Sequence, residues 1–438
     1  MATFFSAGCT FRLHIAAFTG DLDYLKDVAA KLDNGRGLKK TLTDVKDDGG
    51  RSALHYAASG GKTNICKFLV QDLGIDVDLR DKKGDTPLNY AAKEQNIGTA
   101  VFLIDNGANV NLANDKGLSA LHYAAEEGQS YLLLLQVLIS KGAEVDAESE
   151  GGAALHYAIS NGHCEAVKIL LDNNANPNSV RHEIFTALKL SMLSGSFECL
   201  TLLLKAGANP NLSAHGETPL GLAVSLNQTE VIKCLLKAGA NPNSTDSYNL
   251  TPLEAAALYG NHEAVMILLP VTSQFPAVPD WSLGGILKYV HSEEAREKRE
   301  LYKRKTFKFA KSRGKAAFVR GDYLDAICWY TKAILADPLD ATVFSNRSLC
   351  WARLNKGQDA LSDAEACIRL RPNWAKAHYR KGAAWKLLGN YHMAAEAFSD
   401  AVNLDPKNEE LQEALREFNM ETAEVEFEVS VFDDIEII

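Results

Sequence analysis

The sequence has no long apolar run, few aromatic residues and few prolines. Of its 438 residues, 8% are Phe, Trp or Tyr and 12 are proline. The longest apolar stretch, residues 131–139, is too short to cross a bilayer as a helix. The first residues also lack the basic region of a signal peptide. We therefore expect no membrane insertion and a cytoplasmic location, with the nucleus left open.

The eight cysteines include no Cys-x-x-Cys pair, and they fall mostly in apolar helical runs. This pattern predicts free thiols in a reducing compartment rather than disulfides. The net charge is −10, which argues against nucleic acid as the main partner. Residues 291–320 are nevertheless basic, and residues 421–438 form an acidic tail. The sequence also has no phosphate loop and no spacing typical of metal ligands or of a catalytic group, so we expect neither an enzyme nor a cofactor.

A 34-residue period runs through residues 303–420. Asp337-Pro338, Arg371-Pro372 and Asp405-Pro406 are each 34 residues apart, and small residues recur with the same step at Gly314, Ser348 and Gly382. Each period is predicted to form a helix, a turn and a second helix, and residues 408–418 to form a final capping helix. Paired helices with this period and a closing proline resemble the tetratricopeptide family.

Cations and one amide recur on the first helices of these repeats. Lys311 and Lys315 are four residues apart on one helix, and Lys376 and Arg380 have the same spacing two repeats later. Asn346 occupies in the middle repeat the position that Arg380 has in the last. If the first helices line a concave surface, the five side chains face one groove, which suits a carboxylate-rich peptide end.

These residues resemble the carboxylate clamp of tetratricopeptide co-chaperones. In that family the clamp binds the terminal Glu-Glu-Val-Asp of the ninety- and seventy-kilodalton heat-shock chaperones. Lys311, Asn346, Lys376 and Arg380 match the family pattern, but Lys315 stands where the family has an asparagine. The departure replaces an amide that binds the terminal carboxylate with a flexible cation. A solvated basic face without a ligand is the alternative interpretation.

A second period, of 32 to 34 residues, covers residues 10–270. The leucine that opens each first helix recurs at Leu54, Leu88, Leu121, Leu155, Leu188, Leu220 and Leu253, and Leu13 heads a further unit before an insertion around residues 32–46. Motifs such as Thr86-Pro87-Leu88 supply a helix N-cap with proline in the first turn. Second helices end in Gly-Ala-Asn or a variant of it. This pattern resembles the ankyrin family, with about eight units.

The resemblance to ankyrin repeats implies a protein-binding array that uses its hairpin tips and its concave face. Two tips carry apolar residues where small polar ones are typical. They are Ile184 with Phe185, and Tyr248 with Leu250. Such residues are candidate anchors for a partner, because aromatic side chains dominate binding hot spots. Packing on a neighbouring repeat is the alternative.

Four histidines, His14, His55, His122 and His156, recur about once per ankyrin unit. Side chains a whole repeat apart cannot share one metal ion. We therefore expect them to hydrogen-bond within and between loops.

Together these patterns predict an all-α chain of two helical-repeat solenoids. The ankyrin array covers 10–270, a connector with prolines and then a helix covers 271–302, a three-repeat tetratricopeptide domain with a capping helix covers 303–420, and the acidic tail is 421–438. We expect a non-enzymatic adaptor whose array binds a client protein while its groove binds an acidic C-terminal peptide of a heat-shock chaperone. A structural scaffold with a different groove ligand is the alternative.

Overall fold

The computed structural model describes residues 2–181, 185–214, 216–246 and 248–420, and these residues are mainly α-helical. They form two compact units with a boundary between Asn241 and Pro242. The predicted acidic tail and Ile184 lie outside the described residues. No helix in the described ranges has both the length and the apolar character that a membrane span requires. The all-α prediction is confirmed.

The first part of the chain consists of short helix pairs, as the ankyrin pattern predicts. In chain order these helices are α1 (Ala2–Thr19), α2 (Leu22–Leu32), α3 (Leu38–Asp44), α4 (Ala53–Ser59), α5 (Thr63–Lys67), α6 (Pro87–Lys93), α7 (Ile97–Asp105), α8 (Ala120–Glu127), α9 (Leu132–Ser140), α10 (Ala154–Ser160), α11 (Cys164–Asp172), α12 (Ala187–Leu193), α13 (Phe197–Lys205), α14 (Pro219–Ser225), α15 (Thr229–Lys237), α16 (Pro252–Leu258) and α17 (His262–Leu268). A π-helical turn, Phe68–Asp72, extends α5, and a 3₁₀ turn, Gly128–Tyr131, precedes α9. Helix α3 lies in the predicted insertion.

The hairpin before α12 contains two short strands. β1 (Val180–Arg181) pairs antiparallel with β2 (Phe185–Thr186), so that Val180 lies opposite Thr186 and Arg181 lies opposite Phe185. This hairpin is the tip that the sequence analysis singled out for its apolar residues.

Local sequence sets the ends of these helices. The Thr86 hydroxyl accepts a hydrogen bond from the Asn89 N–H at 3.3 Å, and Pro87 takes the first helical position, where no N–H is needed. Gly107 follows α7 with φ = +94°, a conformation that costs a glycine little. Thr or Ser before Leu and Gly after the second helix therefore mark most units as predicted, whereas Ala153 precedes α10 and Asn174, with φ = +66°, follows α11.

The connector packs against the helices on either side of it in the second unit. Helix α18 (Leu283–Val290) begins after Ser282, whose hydroxyl accepts a hydrogen bond from the Gly285 N–H. The Trp281 indole N–H donates to the Leu269 carbonyl oxygen at 3.3 Å, and its ring meets Phe275 edge to face at 5.2 Å. These contacts tie the connector to the end of α17.

The last part of the chain contains the predicted 34-residue helix pairs. They are α19 (Glu293–Val319), α20 (Tyr323–Ala336), α21 (Ala341–Arg353), α22 (Gly357–Leu370), α23 (Ala375–Leu387) and α24 (Tyr391–Leu404), and residues 409–420 are also helical. Small residues allow close packing within the pairs. A Cβ added to Gly314 would lie 2.7 Å from the Tyr330 ring, and one added to Gly382 would lie 2.7 Å from the Phe398 ring. The recurring small residues at 314 and 382 therefore lie where the two helices of a pair approach closely.

An ion pair with a buried carboxylate, between Arg347 and Asp363, joins α21 to α22. The Arg347 guanidinium donates to both carboxylate oxygens of Asp363, at 2.8 and 2.7 Å, and also to the Thr331 hydroxyl at 2.8 Å. Burial raises the pKa of Asp363, although the charge of Arg347 acts against that rise. The arrangement is bidentate, which fixes the two helices relative to each other.

Candidate functional site

Two cations on α23 form what we call the cationic site, Lys376 and Arg380. They lie four residues apart on one helical face, as predicted. Burial lowers the pKa of Arg380, and burial together with the charge of Arg380 lowers the pKa of Lys376. Neither side chain has an ion-pair partner among the described residues, and the buried Nε of Arg380 has no hydrogen-bond partner there. Lys376 is exposed and Arg380 is half-buried, and the charge of Glu410 acts on Lys376 without forming an ion pair with it. Cations that are not paired within the protein favour binding of an anion.

Lys311 on α19 differs from these two cations, because it is already paired. Its ammonium donates to the Asp340 carboxylate at 2.6 Å and to the Thr342 hydroxyl at 2.7 Å. Burial acts to raise the pKa of Asp340, but hydrogen bonds from Lys311 and Thr342 outweigh it and hold that pKa below its usual value. The positive charge of Lys311 is therefore compensated within the protein.

The remaining two predicted groove residues lie on different helices. Asn346 is half-buried on α21 and makes a side-chain hydrogen bond with Tyr330. It lies one turn before Cys350, and the Arg380 charge is close enough to the Cys350 sulfur to act against the burial that raises the pKa of this thiol. Lys315 is exposed on α19 and makes no ion pair in the described part of the chain. Helix α21 packs on α23, so Asn346 lies on a helix next to the one that carries the cationic site.

A pocket of about 540 Å³ lies beside the cationic site, and its lining combines apolar and aromatic side chains with the charged side chains of Arg353, Lys386 and Glu417. It is formed by α21, α23, α24 and the final helix, and aromatic side chains contribute much of its lining: Tyr379, Tyr391, Phe398 and Phe418. Arg353 also lines the pocket and is near enough to Arg380 for the two charges to repel. Arg353 was not among the predicted groove residues, although it lies seven residues after Asn346 and therefore on the same face of α21.

The candidate partner surface of the ankyrin array needs one correction. Leu250 is only 7% exposed, so its side chain belongs to the core and cannot anchor a partner. Tyr248 and Phe185 are half-buried. Phe185 also lies 5.8 Å from the Lys189 ammonium. The pattern of apolar residues at the tips did not distinguish Leu250, which faces inward, from its neighbour Tyr248.

Three of the recurring histidines, His55, His122 and His156, make the predicted hydrogen bonds, whereas the buried Nε2 of His14 has no partner among the described residues. The His55 Nδ1 accepts a hydrogen bond from the Ser52 N–H at 3.1 Å, and its Nε2 lies 3.2 Å from the Asp85 carbonyl oxygen. His122 makes equivalent contacts with Ser119 and Ala147. No cluster of His, Cys, Asp or Glu suited to a metal ion occurs among the described residues.

Stacked helix pairs with a cationic site define a protein of the helical-repeat class, which provides binding surfaces for other proteins. The chain belongs to the ankyrin repeat family. Three copies of the family model "Ankyrin repeats" match residues 13–114, 102–181 and 188–277. The model "Tetratricopeptide repeat" matches residues 375–408, the segment that carries the cationic site. Both families are protein-binding modules, so the chain is a protein–protein interaction adaptor.

Two relatives each match about a quarter of this chain. "Hsp70-Hsp90 organizing protein" from Triticum aestivum is 36% identical over 120 residues, which are 27% of this chain and 21% of that protein. "Heat shock protein sti1 homolog" from Schizosaccharomyces pombe is 41% identical over 106 residues, 24% and 18% of the two chains. The chain thus spans about a fifth of the length of these relatives. The crystal structure of the human ASB11 ankyrin repeat domain is 28% identical, covers 51% of this chain and 100% of that chain, and has a TM-score of 0.45.

Proposed function

We propose that this chain is a non-enzymatic co-chaperone adaptor. Its tetratricopeptide segment binds an acidic C-terminal peptide of a heat-shock chaperone, and its ankyrin array binds a client protein. The adaptor works in the cytoplasm, and the nucleus is a second location open to it. It needs no cofactor, because binding depends only on charge and shape.

The observation that carries the proposal is the unpaired charge of Lys376 and Arg380. The Arg380 side chain is half-buried, and its buried Nε has no hydrogen-bond partner among the described residues. An unsatisfied buried donor is costly, and a ligand carboxylate removes that cost while gaining charge-assisted hydrogen bonds. Asn346 supplies an amide from the neighbouring helix. Lys311 and Lys315 complete the set of proposed carboxylate-binding residues, at the end of the site formed by α19.

The names of the relatives support a chaperone as the partner. Two of them are organizing or heat-shock proteins by name, and each is more than 35% identical over its matched stretch. Identity at this level over a repeat segment favours a shared mode of binding. The proposal therefore takes the partner class from the relatives and the binding residues from this chain.

For the ankyrin array we propose the hairpin tips as the client surface. The candidate anchors, without the buried Leu250, are Ile184, Phe185 and Tyr248. Ile184 lies outside the described residues. Replacing Phe185 with Ala should weaken binding of the client and leave binding of the acidic peptide unchanged.

A scaffold whose groove binds a different protein ligand is the second candidate. Two observations favour it: Lys315 replaces the asparagine of the co-chaperone pattern, and Lys311 is already paired with Asp340. Both reduce the capacity of this end of the site to bind a terminal carboxylate.

Isothermal titration of the whole chain with a Glu-Glu-Val-Asp peptide separates the two candidates. The co-chaperone proposal expects binding that weakens with salt and falls at least about tenfold in Arg380→Gln or Lys376→Gln. Lys356→Gln is the matched control, because Lys356 is exposed in the turn before α22. Absence of binding by the wild-type chain at high peptide concentration would eliminate the chaperone partner.

A further inference from the structure

We infer that the tetratricopeptide site recognises acidic side chains next to an apolar residue, and that a free C-terminal carboxylate contributes little. This inference rests on the proposed function and specifies its ligand. It follows from a difference in ion pairing: Lys311 is paired with a carboxylate of the protein, whereas Lys376 and Arg380 are not. A ligand that needs no free terminus includes internal segments of a partner as well as its last residues.

The α19 end of the site is compensated from within the protein. Two of the three protons of the Lys311 ammonium are used by Asp340 and Thr342. A ligand carboxylate arriving there would meet the Asp340 carboxylate and would be repelled by it. Lys315 offers only an exposed charge, which water and salt screen. This end therefore has little to offer a terminal carboxylate.

At the opposite end of the site, on α23, the cations are not compensated from within the protein. Arg380 is half-buried and Lys376 is exposed, and neither has an ion-pair partner among the described residues, although the charge of Glu410 acts on Lys376. Arg353 and Lys386 add cations to the lining of the neighbouring pocket, against the single carboxylate of Glu417. One carboxylate side chain bound at Arg380 would place a neighbouring apolar side chain at the pocket of about 540 Å³. Acidic and apolar residues side by side are thus the ligand chemistry that complements this end.

Titration of the full chain with the free-acid and C-terminally amidated forms of Glu-Glu-Val-Asp tests the inference. The two forms should bind within about threefold of each other, whereas replacing both glutamates with glutamine should weaken binding at least about tenfold. A free acid that binds while the amide does not would overturn this inference and leave the proposed function standing. Failure of both forms to bind would overturn the proposed function.

The variant Asp340→Asn tests whether the pairing of Lys311 with Asp340 is the reason that a free C-terminal carboxylate contributes little. Asn is also a good N-cap residue, so α21 keeps its start while Lys311 loses its carboxylate partner. We expect the free acid to gain affinity in this variant and to exceed the amide by at least about fivefold. An unchanged ratio of the two affinities would show that Asp340 does not compensate Lys311 against the ligand.

A separate observation concerns two thiols in the ankyrin array. Cys164 at the start of α11 and Cys199 in α13 place their Sγ atoms 2.9 Å apart, and the Ser196 hydroxyl is 3.2 Å from the Cys164 sulfur. Both cysteines are free. A disulfide has sulfurs about 2.05 Å apart, so bond formation requires a movement of about 1 Å. We propose that peroxide converts this pair into a disulfide that links the two helices.

The two thiols have different roles in this step. Cys164 is partly exposed, whereas Cys199 is fully buried, and burial raises the pKa of Cys199 to about 12. The Cys164 thiolate attacks hydrogen peroxide and becomes a sulfenic acid, with release of hydroxide. The Cys199 sulfur then attacks the sulfenic sulfur, and a disulfide and water form. The hydroxide takes up the proton that Cys164 lost in forming its thiolate, and the sulfenic hydroxyl leaves with the proton of the Cys199 thiol. Two thiols are thus oxidised and one peroxide is reduced to two waters.

Peptide mapping of the peroxide-treated chain tests this cross-link. Two of the eight thiols should disappear, and a peptide pair joined through Cys164 and Cys199 should appear without reductant. Cys164→Ser and Cys199→Ser should each abolish the pair, while Cys234→Ser should retain it. Retention of all eight thiols, or oxidation of Cys164 to sulfinic acid without a linked peptide, would refute the proposal.

Discussion

Acidification should destabilise the N-terminal unit through His55. Its Nδ1 accepts the Ser52 N–H, so the proton of the neutral ring is on Nε2 and is donated to the Asp85 carbonyl oxygen. Protonation of Nδ1 would set the Nδ1–H of His55 against the Ser52 N–H, and the cap of α4 would break. Burial accordingly lowers the pKa of His55 to about 4, with the charges of Asp81 and Lys46 acting in opposite directions.

The sign and size of the effect follow from the two protonation equilibria. The unfolded chain binds a proton at His55 near pH 6.5, whereas the folded chain does so near pH 4. Between these values the unfolded state holds more protons, so stability falls as the pH falls. From pH 7 to pH 5 the free energy of unfolding should drop by about 2 kcal/mol because of this side chain alone.

The variant His55→Asn isolates this contribution, because Asn89 occupies the same position in the next repeat. Urea unfolding followed by circular dichroism should show a smaller loss between pH 7 and pH 5 in the variant, by about 2 kcal/mol. Tryptophan fluorescence provides an internal control, since all five tryptophans lie between residues 281 and 385. His262→Asn replaces an exposed histidine and should leave the loss unchanged. Equal losses in the wild type and in His55→Asn would refute the reasoning.

Three further substitutions should lower the stability of the second unit. Arg347→Ala leaves the Asp363 carboxylate buried without a partner and should cost about 3 kcal/mol, measured by tryptophan fluorescence in urea. Gly382→Ala forces a Cβ to 2.7 Å from the Phe398 ring and should lower the free energy of unfolding by about 1–3 kcal/mol in the same assay. An unchanged free energy of unfolding would show that α23 and α24 move apart without cost. Thr251→Ala removes the capping box of α16 and should cost about 1 kcal/mol by circular dichroism; an unchanged midpoint would contradict the role of the cap.

Much of the fold could be predicted from the sequence because repeats carry their signals locally. The 34-residue step, the capping threonines and the closing glycines each concern residues within one helix pair. Even the continuation of α19 back to Glu293 could be predicted, from a charged stretch without Pro or Gly. The domain boundaries stay predictions, since the division between compact units falls before α16, whereas the ankyrin pattern extends to residue 270.

The candidate site could be predicted only in part, because its charge balance depends on contacts between repeats. Lys311 and Lys376 belong to the same pattern in the sequence, yet only Lys311 meets a carboxylate. That carboxylate, Asp340, comes from the turn before α21, and no motif for the first helices includes it. The repeat pattern also does not predict which side chains at the hairpin tips are buried, since Leu250 and Tyr248 are two residues apart and differ in exposure. A repeat motif specifies which residue type occurs at a position and leaves its partner to the fold.

Because each repeat contacts mainly its neighbours, perturbations at distant repeats should act independently. His55 lies in the first compact unit, and Asp340 lies in the second. The double variant His55→Asn with Asp340→Asn should therefore show the acid resistance of the first change and the peptide preference of the second, each within about 0.5 kcal/mol of its single-variant value. Urea unfolding at pH 5 and titration with free-acid and amidated peptide measure the two effects in one sample. A change in the peptide preference caused by His55→Asn alone would show that the units are energetically coupled.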